Sequence, residues 1–179
     1  RYTLNGGSVS TANPTTYSVD TAAFTLNNPT KEGWTFDGWS GTGLSGNTNK
    51  TVTIPVGTTG NRSYTAHFSK VITLTQKHGT STTSQSYTLT DSETSHKFTL
   101  VTSQDSFSGW TFEGWLDNPT PKAADYTPTA TITISNSKTV YATYSQGLTA
   151  TFIDYTGTSK QTRTVTGTAY GNNSCGGVV

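Results

Sequence analysis

The side chains able to do chemistry are few, and they do not converge. His67, His78 and His96 lie in different segments and match no metal-ligand spacing. His67 falls in an alternating run and is expected to face solvent. Thr and Ser make up about a third of the chain, far above their usual share. A nucleophile among them would need an oriented base, and no Gly-x-Ser-x-Gly or comparable frame surrounds any of them. A general acid–base pair needs two carboxylates meeting in one cleft. Asp37 and Glu113 instead sit 113 − 37 = 76 positions apart, at the same place in two copies of one motif. That placement implies a structural task repeated twice, such as accepting a hydrogen bond from a neighbouring turn. The expectation is a chain that is not an enzyme and needs no cofactor or metal.

Smaller signals carry little. Lys31, Asn28 and Glu32 are too close in sequence for an isopeptide cross-link, which loss of one ammonia per copy would reveal. Asn49-Lys50-Thr51, Asn61-Arg62-Ser63 and Asn172-Asn173-Ser174 fit the glycosylation acceptor pattern, which arises by chance in a Thr- and Asn-rich chain. Cys175 is the single cysteine, so no disulfide forms within the chain, and it reads as an ordinary small residue of a terminal segment.

The elements that position these groups come in duplicate. Gly33-Trp34-Thr35-Phe36-Asp37-Gly38-Trp39 returns as Gly109-Trp110-Thr111-Phe112-Glu113-Gly114-Trp115, and the two copies contain all 4 tryptophans. A repeated block of this kind marks a duplicated folding unit. Around it, Tyr2-Thr3-Leu4 matches Ile72-Thr73-Leu74 and Tyr17 matches Tyr87, both by a shift of 72 − 2 = 70. Phe24-Thr25-Leu26 matches Phe98-Thr99-Leu100, Val52-Thr53-Ile54 matches Ile132-Thr133-Ile134, and the run from Tyr64 matches that from Val140. These elements read as short strands, with Tyr17-Ser18-Val19 another. Asn5-Gly6 is the best hairpin signal, because both positions of a type I′ turn need positive φ.

Composition agrees with strands. The chain has 179 residues, 30% hydrophobic, 12% charged and 11% aromatic. Its aromatic and β-branched content separates it from a disordered chain. Net charge is +1 with charges scattered, so there is no basic stripe for nucleic acid. No apolar run approaches the roughly 20 residues of a membrane span. The chain starts at Arg1, lacks Met and carries no sorting signal, and so reads as a piece of a longer polypeptide.

In a regular strand Trp34 and Phe36 share one face and Trp39 points to the other. All three reach one core only if an extra residue shifts the phase, and Gly38 is placed to allow that bulge. Gly33 serves the turn leading in, and Gly109 and Gly114 repeat both roles. Trp34, Phe36, Trp39, Trp110, Phe112 and Trp115 are therefore the expected structural core, with Asn5, Gly6, Gly33, Gly38, Gly109 and Gly114 as turn and bulge positions. Tyr17, Tyr64 and Tyr87 are candidate ligand contacts.

The stretch Asn28-Pro29-Thr30-Lys31-Glu32-Gly33-Trp34-Thr35-Phe36-Asp37-Gly38-Trp39 resembles the signature of the Listeria–Bacteroides repeat, the internalin B-repeat-like module of bacterial surface proteins. Tyr2-Thr3-Leu4-Asn5-Gly6-Gly7 and Tyr64-Thr65-Ala66-His67-Phe68 resemble the start and end of such a repeat. The second copy replaces the Pro-Thr-Lys-Glu lead-in with Asp105-Ser106-Phe107-Ser108. The resemblance implies a mainly β fold of tandem small β-grasp-like (ubiquitin-like) modules, extracellular or on a bacterial cell surface, with no catalytic residues. The expected organisation is module 1 at 1–69, module 2 at 70–145 and the start of an incomplete third at 146–179.

The expected role is a spacer or adhesive stalk, with a host or neighbouring-cell surface protein or glycan as partner. Two alternatives remain open. One is a carbohydrate-binding module that exposes its tryptophans. The other is an extracellular fibre subunit that self-associates by strand addition at the incomplete third module.

Overall fold

The computed structural model describes residues 1–153, 155–157 and 159–170, with Phe152 and 159–170 described by backbone alone. Cys175 therefore lies outside the described residues. Every regular element is a strand, and no described residue is helical. Thr, Val and the aromatics favour this outcome, because branched and ring side chains pack well on a pleated surface.

The chain divides into two compact units. One holds Arg1–Val71 together with Thr88–Thr94, and the other holds Ile72–Tyr87 and the chain from Ser95 onward. In the first unit, β1 (Tyr2–Thr3), β2 (Phe24–Thr25), β3 (Thr35–Gly41) and β4 (Thr53–Ile54) precede β5 (Tyr64–Lys77). β1 pairs with β5 in parallel, Tyr2 opposite Tyr64. β3 pairs with β5 antiparallel, and β2 with β4 antiparallel. Leu26, Trp39, Val52, Ile54, Tyr64, Ala66 and Phe68 form the buried core. Thr88–Thr94 contributes Asp91, whose carboxylate accepts from Asn5 Nδ2 at 2.8 Å and pairs with His67 Nδ1 at 3.0 Å. His67 also meets Ser40 Oγ at 2.7 Å, so it is a half-buried, partnered residue rather than a solvent-facing one.

The second unit uses Ile72–Lys77 of β5 and then β6 (Thr82–Thr90), β7 (His96–Thr99), β8 (Thr111–Leu116), β9 (Thr131–Ile134), β10 (Lys138–Ile153) and β11 (Ser159–Tyr170). β10 pairs with β5 in parallel and with β8 antiparallel, and β7 pairs with β9. Thr149–Ile153 does not open a separate element. It continues β10, which pairs antiparallel with β11 from Thr143 to Ile153.

The pairing corrects the sequence alignment of the two copies. Tyr2 faces Tyr64, but Val140, the counterpart of Tyr64, faces Gln76 and not Ile72. Phe24 faces Ile54, whereas Phe98 faces Ile132. The shifts become 76 − 2 = 74 for the opening strand and 132 − 54 = 78 for β9, closer to the 76 of the Trp block. Apolar identity misplaced the opening strand because β5 and the residue after it are buried at every second position from Tyr64 to His78 except Lys70. That buried face includes Gln76 and His78, which an apolar pattern passes over. The register displacements are even numbers, so the inward set stays inward.

Two further expectations need correction. Asn5 and Gly6 do take positive φ, 46° and 82°, with Gly7 N–H bonded to Leu4 O at 2.8 Å. They make a turn but no hairpin, because β1 finds its partner in β5 and the exit from the turn is polar. Tyr17-Ser18-Val19 is not a strand. Its Tyr17 hydroxyl donates to Gly60 O, and Ser18 N–H is taken by Thr21 Oγ1 at 2.8 Å, so the ladder bonds a strand would need are spent locally.

Candidate functional site

The Trp block is built as twin bulges. Phe36 lies opposite Phe68 and Gly38 opposite His67, which leaves Asp37 as the extra residue. Phe112 and Gly114 lie opposite Tyr144 and Thr143, leaving Glu113. Gly38 and Gly114 hold φ of 152° and 144°. The phase shift brings Phe36 and Trp39 together at 5.7 Å and 70°, and Phe112 and Trp115 at 5.3 Å and 71°. Both are edge-to-face contacts of the favourable kind.

The extra residue has its own role in each copy. Asp37 Oδ1 accepts from Ser69 Oγ at 2.8 Å, and Glu113 Oε1 accepts from Ser145 Oγ. Ser69 and Ser145 are themselves 76 apart, so the carboxylates do one structural job twice, with the donor on the facing strand rather than in a turn. They sit in separate copies.

Each tryptophan pair splits. Trp39 and Trp115 are fully buried (0% exposed), while Trp34 and Trp110 are half-buried. Trp34 packs at the rim of the core with Lys31 Nζ 4.1 Å from its ring centroid. The first tryptophan of each block lies just outside the strand, after turns closed by Trp34 N–H to Lys31 O and Trp110 N–H to Phe107 O, both 3.0 Å. Gly33 and Gly109 give those turns φ of 71° and 79°. Trp39 and Trp115 are therefore not available to an exposed platform. Acrylamide quenching is expected to show two classes of indole, one shielded and one accessible. A single, fully quenched class would contradict this placement.

The buried indoles are satisfied by different partners. Trp39 Nε1 donates to Asn28 Oδ1 at 2.8 Å, and Asn28 Nδ2 donates in turn to Lys50 O at 2.8 Å. Trp115 Nε1 donates to Pro128 O at 3.1 Å.

Two of the candidate tyrosines do meet. A cleft of about 440 Å³ in the first unit is lined by Tyr2, Tyr17, Phe24, Arg62 and Tyr64, with the exposed Thr15, Thr16, Ser18 and Thr59 also on its lining. Tyr2 and Tyr64 stack at 6.4 Å and 19°. Tyr2 Oη donates to Pro14 O at 2.8 Å, and Tyr17 Oη to Gly60 O, so both rings are aimed by their hydroxyls. Burial, then the neighbouring Tyr64 and Tyr17, push the Tyr2 phenol above its ordinary value. Arg62 Nη1 donates to Tyr64 Oη at 3.5 Å, and its contact with Tyr64 is the main support for its positive charge. Its Nε is buried without an acceptor. Tyr87 lies in the second unit, stacked on His96 at 3.5 Å.

The second unit holds polar residues that sequence reasoning missed. His78 is fully buried, with its ring 5.0 Å from Trp115. Its Nδ1 accepts from Gln104 N–H at 3.2 Å, so Nε2 carries the proton and donates to Thr83 Oγ1 at 2.7 Å. Burial lowers its pKa against the opposing pull of Asp105. The neutral ring is the folded form, so its contribution to stability is whole above the ordinary value of 6.5 and is lost as pH falls through it. The urea midpoint of the second unit is expected to drop between about pH 7 and about pH 5. An unchanged midpoint would count against this.

Asp105 closes the β5–β6 turn. Partial burial raises its pKa, but bonds from the Ser81 hydroxyl and from the N–H groups of Ser81 and Thr80, joined by the Thr80 hydroxyl, outweigh this and bring it to about 2. Its contribution is present above the ordinary 3.8 and is lost as pH falls from there toward 2. Asp105→Asn is expected to cost about 1.5–3 kcal/mol at neutral pH, the value of a charge-assisted bond. It should also flatten the acid limb of the stability profile.

Among the described residues no group of three or more His, Cys, Asp or Glu side chains is placed to hold a metal ion. No helix among them is long and apolar enough to cross a membrane. The fold and the twin bulges define a tandem all-β repeat protein. The family model of the Listeria-Bacteroides repeat domain matches residues 1–67 and again 72–143, so the chain belongs to that family. It is a repeat family of bacterial proteins, typical of those at the cell surface. No curated protein and no solved structure matches the chain.

Proposed function

We propose that this chain is a non-catalytic tandem segment of a cell-surface or secreted bacterial protein, acting as a spacer and adhesive stalk. One observation carries the reading. The most chemically able residues of the repeated block, Asp37 and Glu113, are spent identically on Ser69 and Ser145. Duplicated groups with duplicated structural partners favour a repeated building block over one active site. The β-grasp-like reading of each module draws on the parallel pairing of its opening and closing strands, Tyr2 with Tyr64 and Gln76 with Val140.

Antibodies against the two repeats are expected to label intact cells of the producing bacterium, and labelling only after lysis would sink the surface reading. Inserting further repeat copies between an anchor and an epitope tag is expected to raise antibody access to the tag. Access independent of copy number would remove the spacer role.

A further inference from the structure

The same repeat position carries a cation in both units, Arg62 and, 76 residues on, Lys138. Lys138 is closed internally: its Nζ lies 2.7 Å from Asp117 Oδ1 and 3.3 Å from Tyr126 Oη. Asp117 corresponds, by the same shift, to position 41, and there the first unit has Gly41. Gly41 cannot be replaced by an acid in place, because a Cβ there would lie 2.1 Å from Ser63 O. Among the described residues no carboxylate pairs with Arg62, and none lines its cleft. A partly buried guanidinium whose buried Nε has no acceptor keeps hydrogen-bonding capacity that native structures normally use.

The rest of the cleft indicates what would complete it. Tyr2 and Tyr17 offer half-buried ring faces over a floor of Tyr64 and Phe24, and the rim supplies the hydroxyls of Thr15, Thr16 and Thr59. Its volume of about 440 Å³ falls in the range of roughly 300–1,000 Å³ typical of small-ligand sites. Ring faces suit the C–H face of a sugar, hydroxyls suit its hydroxyl edge, and a guanidinium with no carboxylate partner suits a carboxylate. A multiply charged acidic peptide would find only this lining and no further cationic groups besides Arg1.

We propose that the first unit binds the carboxylate-bearing residue of an acidic saccharide, of the uronic acid class, in the cleft of Tyr2, Tyr17 and Tyr64, with Arg62 meeting the carboxylate. This deepens the adhesive half of the reading above. The spacer half has its own test in epitope access, so failure of either is distinguishable from failure of the other.

Calorimetric titration of the full chain with an oligogalacturonate should show saturable binding. The carboxyl-reduced oligosaccharide and a Glu-containing peptide should bind far more weakly. Arg62→Gln, which leaves a shorter, uncharged polar side chain, and Arg62→Ala should each weaken binding roughly tenfold or more, the worth of a charge-assisted contact. Both variants should keep the parent's melting temperature. Lys138→Ala should bind like the parent, since Lys138 is already paired. Equal binding of the carboxyl-reduced sugar, preference for the peptide, unchanged affinity in both Arg62 variants, or no binding by the parent chain would each overturn the assignment.

Discussion

Trp39→Ala is expected to destabilise the first unit by about 3–5 kcal/mol, the usual cost of truncating a fully buried Trp. Trp115→Ala should do the same to the second. Each ring buries on the order of 200 Å², worth about 5 kcal/mol at 25 cal/mol per Å². The ring also holds more than its own area. Trp39 contacts Phe36 at 5.7 Å and Tyr2 at 6.3 Å, and its Nε1 ties down Asn28, so truncation leaves a cavity and an unpaired amide oxygen together. Small domains are marginally stable to begin with, so a loss of this size is comparable to the whole. Denaturant titration followed by the remaining tryptophans would show the midpoint moving sharply down. A midpoint equal to the parent's would mean that these rings are not the core. Trp34→Ala provides the contrast, since that ring is half-buried, and its cost should be clearly smaller.

Gly38→Ala and Gly114→Ala are expected to be nearly as damaging, at about 3 kcal/mol or more. Their φ angles of 152° and 144° belong to glycine, and strain of this kind costs about 1–3 kcal/mol for other residues. The space is closed as well. A Cβ on Gly38 would lie 2.4 Å from Asn49 N and Thr48 C, and one on Gly114 would lie 2.2 Å from Tyr126 O. These are backbone atoms of the adjoining segment, held by Trp39 N–H to Asn49 O and Trp115 N–H to Tyr126 O, both 2.9 Å, so no side chain can swing away to relieve the contact. Gly33→Ala separates the two causes. Its φ is 71° but nothing lies within 4 Å of the added Cβ, so only the strain, about 1 kcal/mol, should appear. Thermal melts of the three variants would rank them. If Gly38→Ala fell no further than Gly33→Ala, close backbone packing at the bulge would be excluded as the reason for glycine there.

Much of this architecture is legible in the chain because it is local and doubled. The repeated Trp block announces two units, and the phase conflict between Phe36 and Trp39 calls for a bulge at Asp37-Gly38. The matched carboxylates call for a shared structural task. Asn5-Gly6 likewise announces its own turn. Partner choice is not local. Nothing local says that β1 pairs with β5 in parallel, or that Gln76 rather than Ile72 stands where Tyr2 stands. Apolar patterning also passes over His78 and Gln76, which are buried because neighbours satisfy them: Gln76 with Val101 and Gln85, His78 with Thr83 and Gln104.

The sequence by itself determined the class of element, the duplication, the bulges and the family, because all of these follow from residue type and short-range phase. Tertiary structure alone decided which tryptophan of each block is sealed, that Tyr17 and Tyr64 line one cleft, and that Tyr87 stacks on His96. It also decided that, among the described residues, Arg62 has no acid where Lys138 has Asp117. Those outcomes depend on which distant strands become neighbours, and pairing across tens of residues is set by the summed fit of backbone ladders and buried faces, which no single stretch of chain encodes.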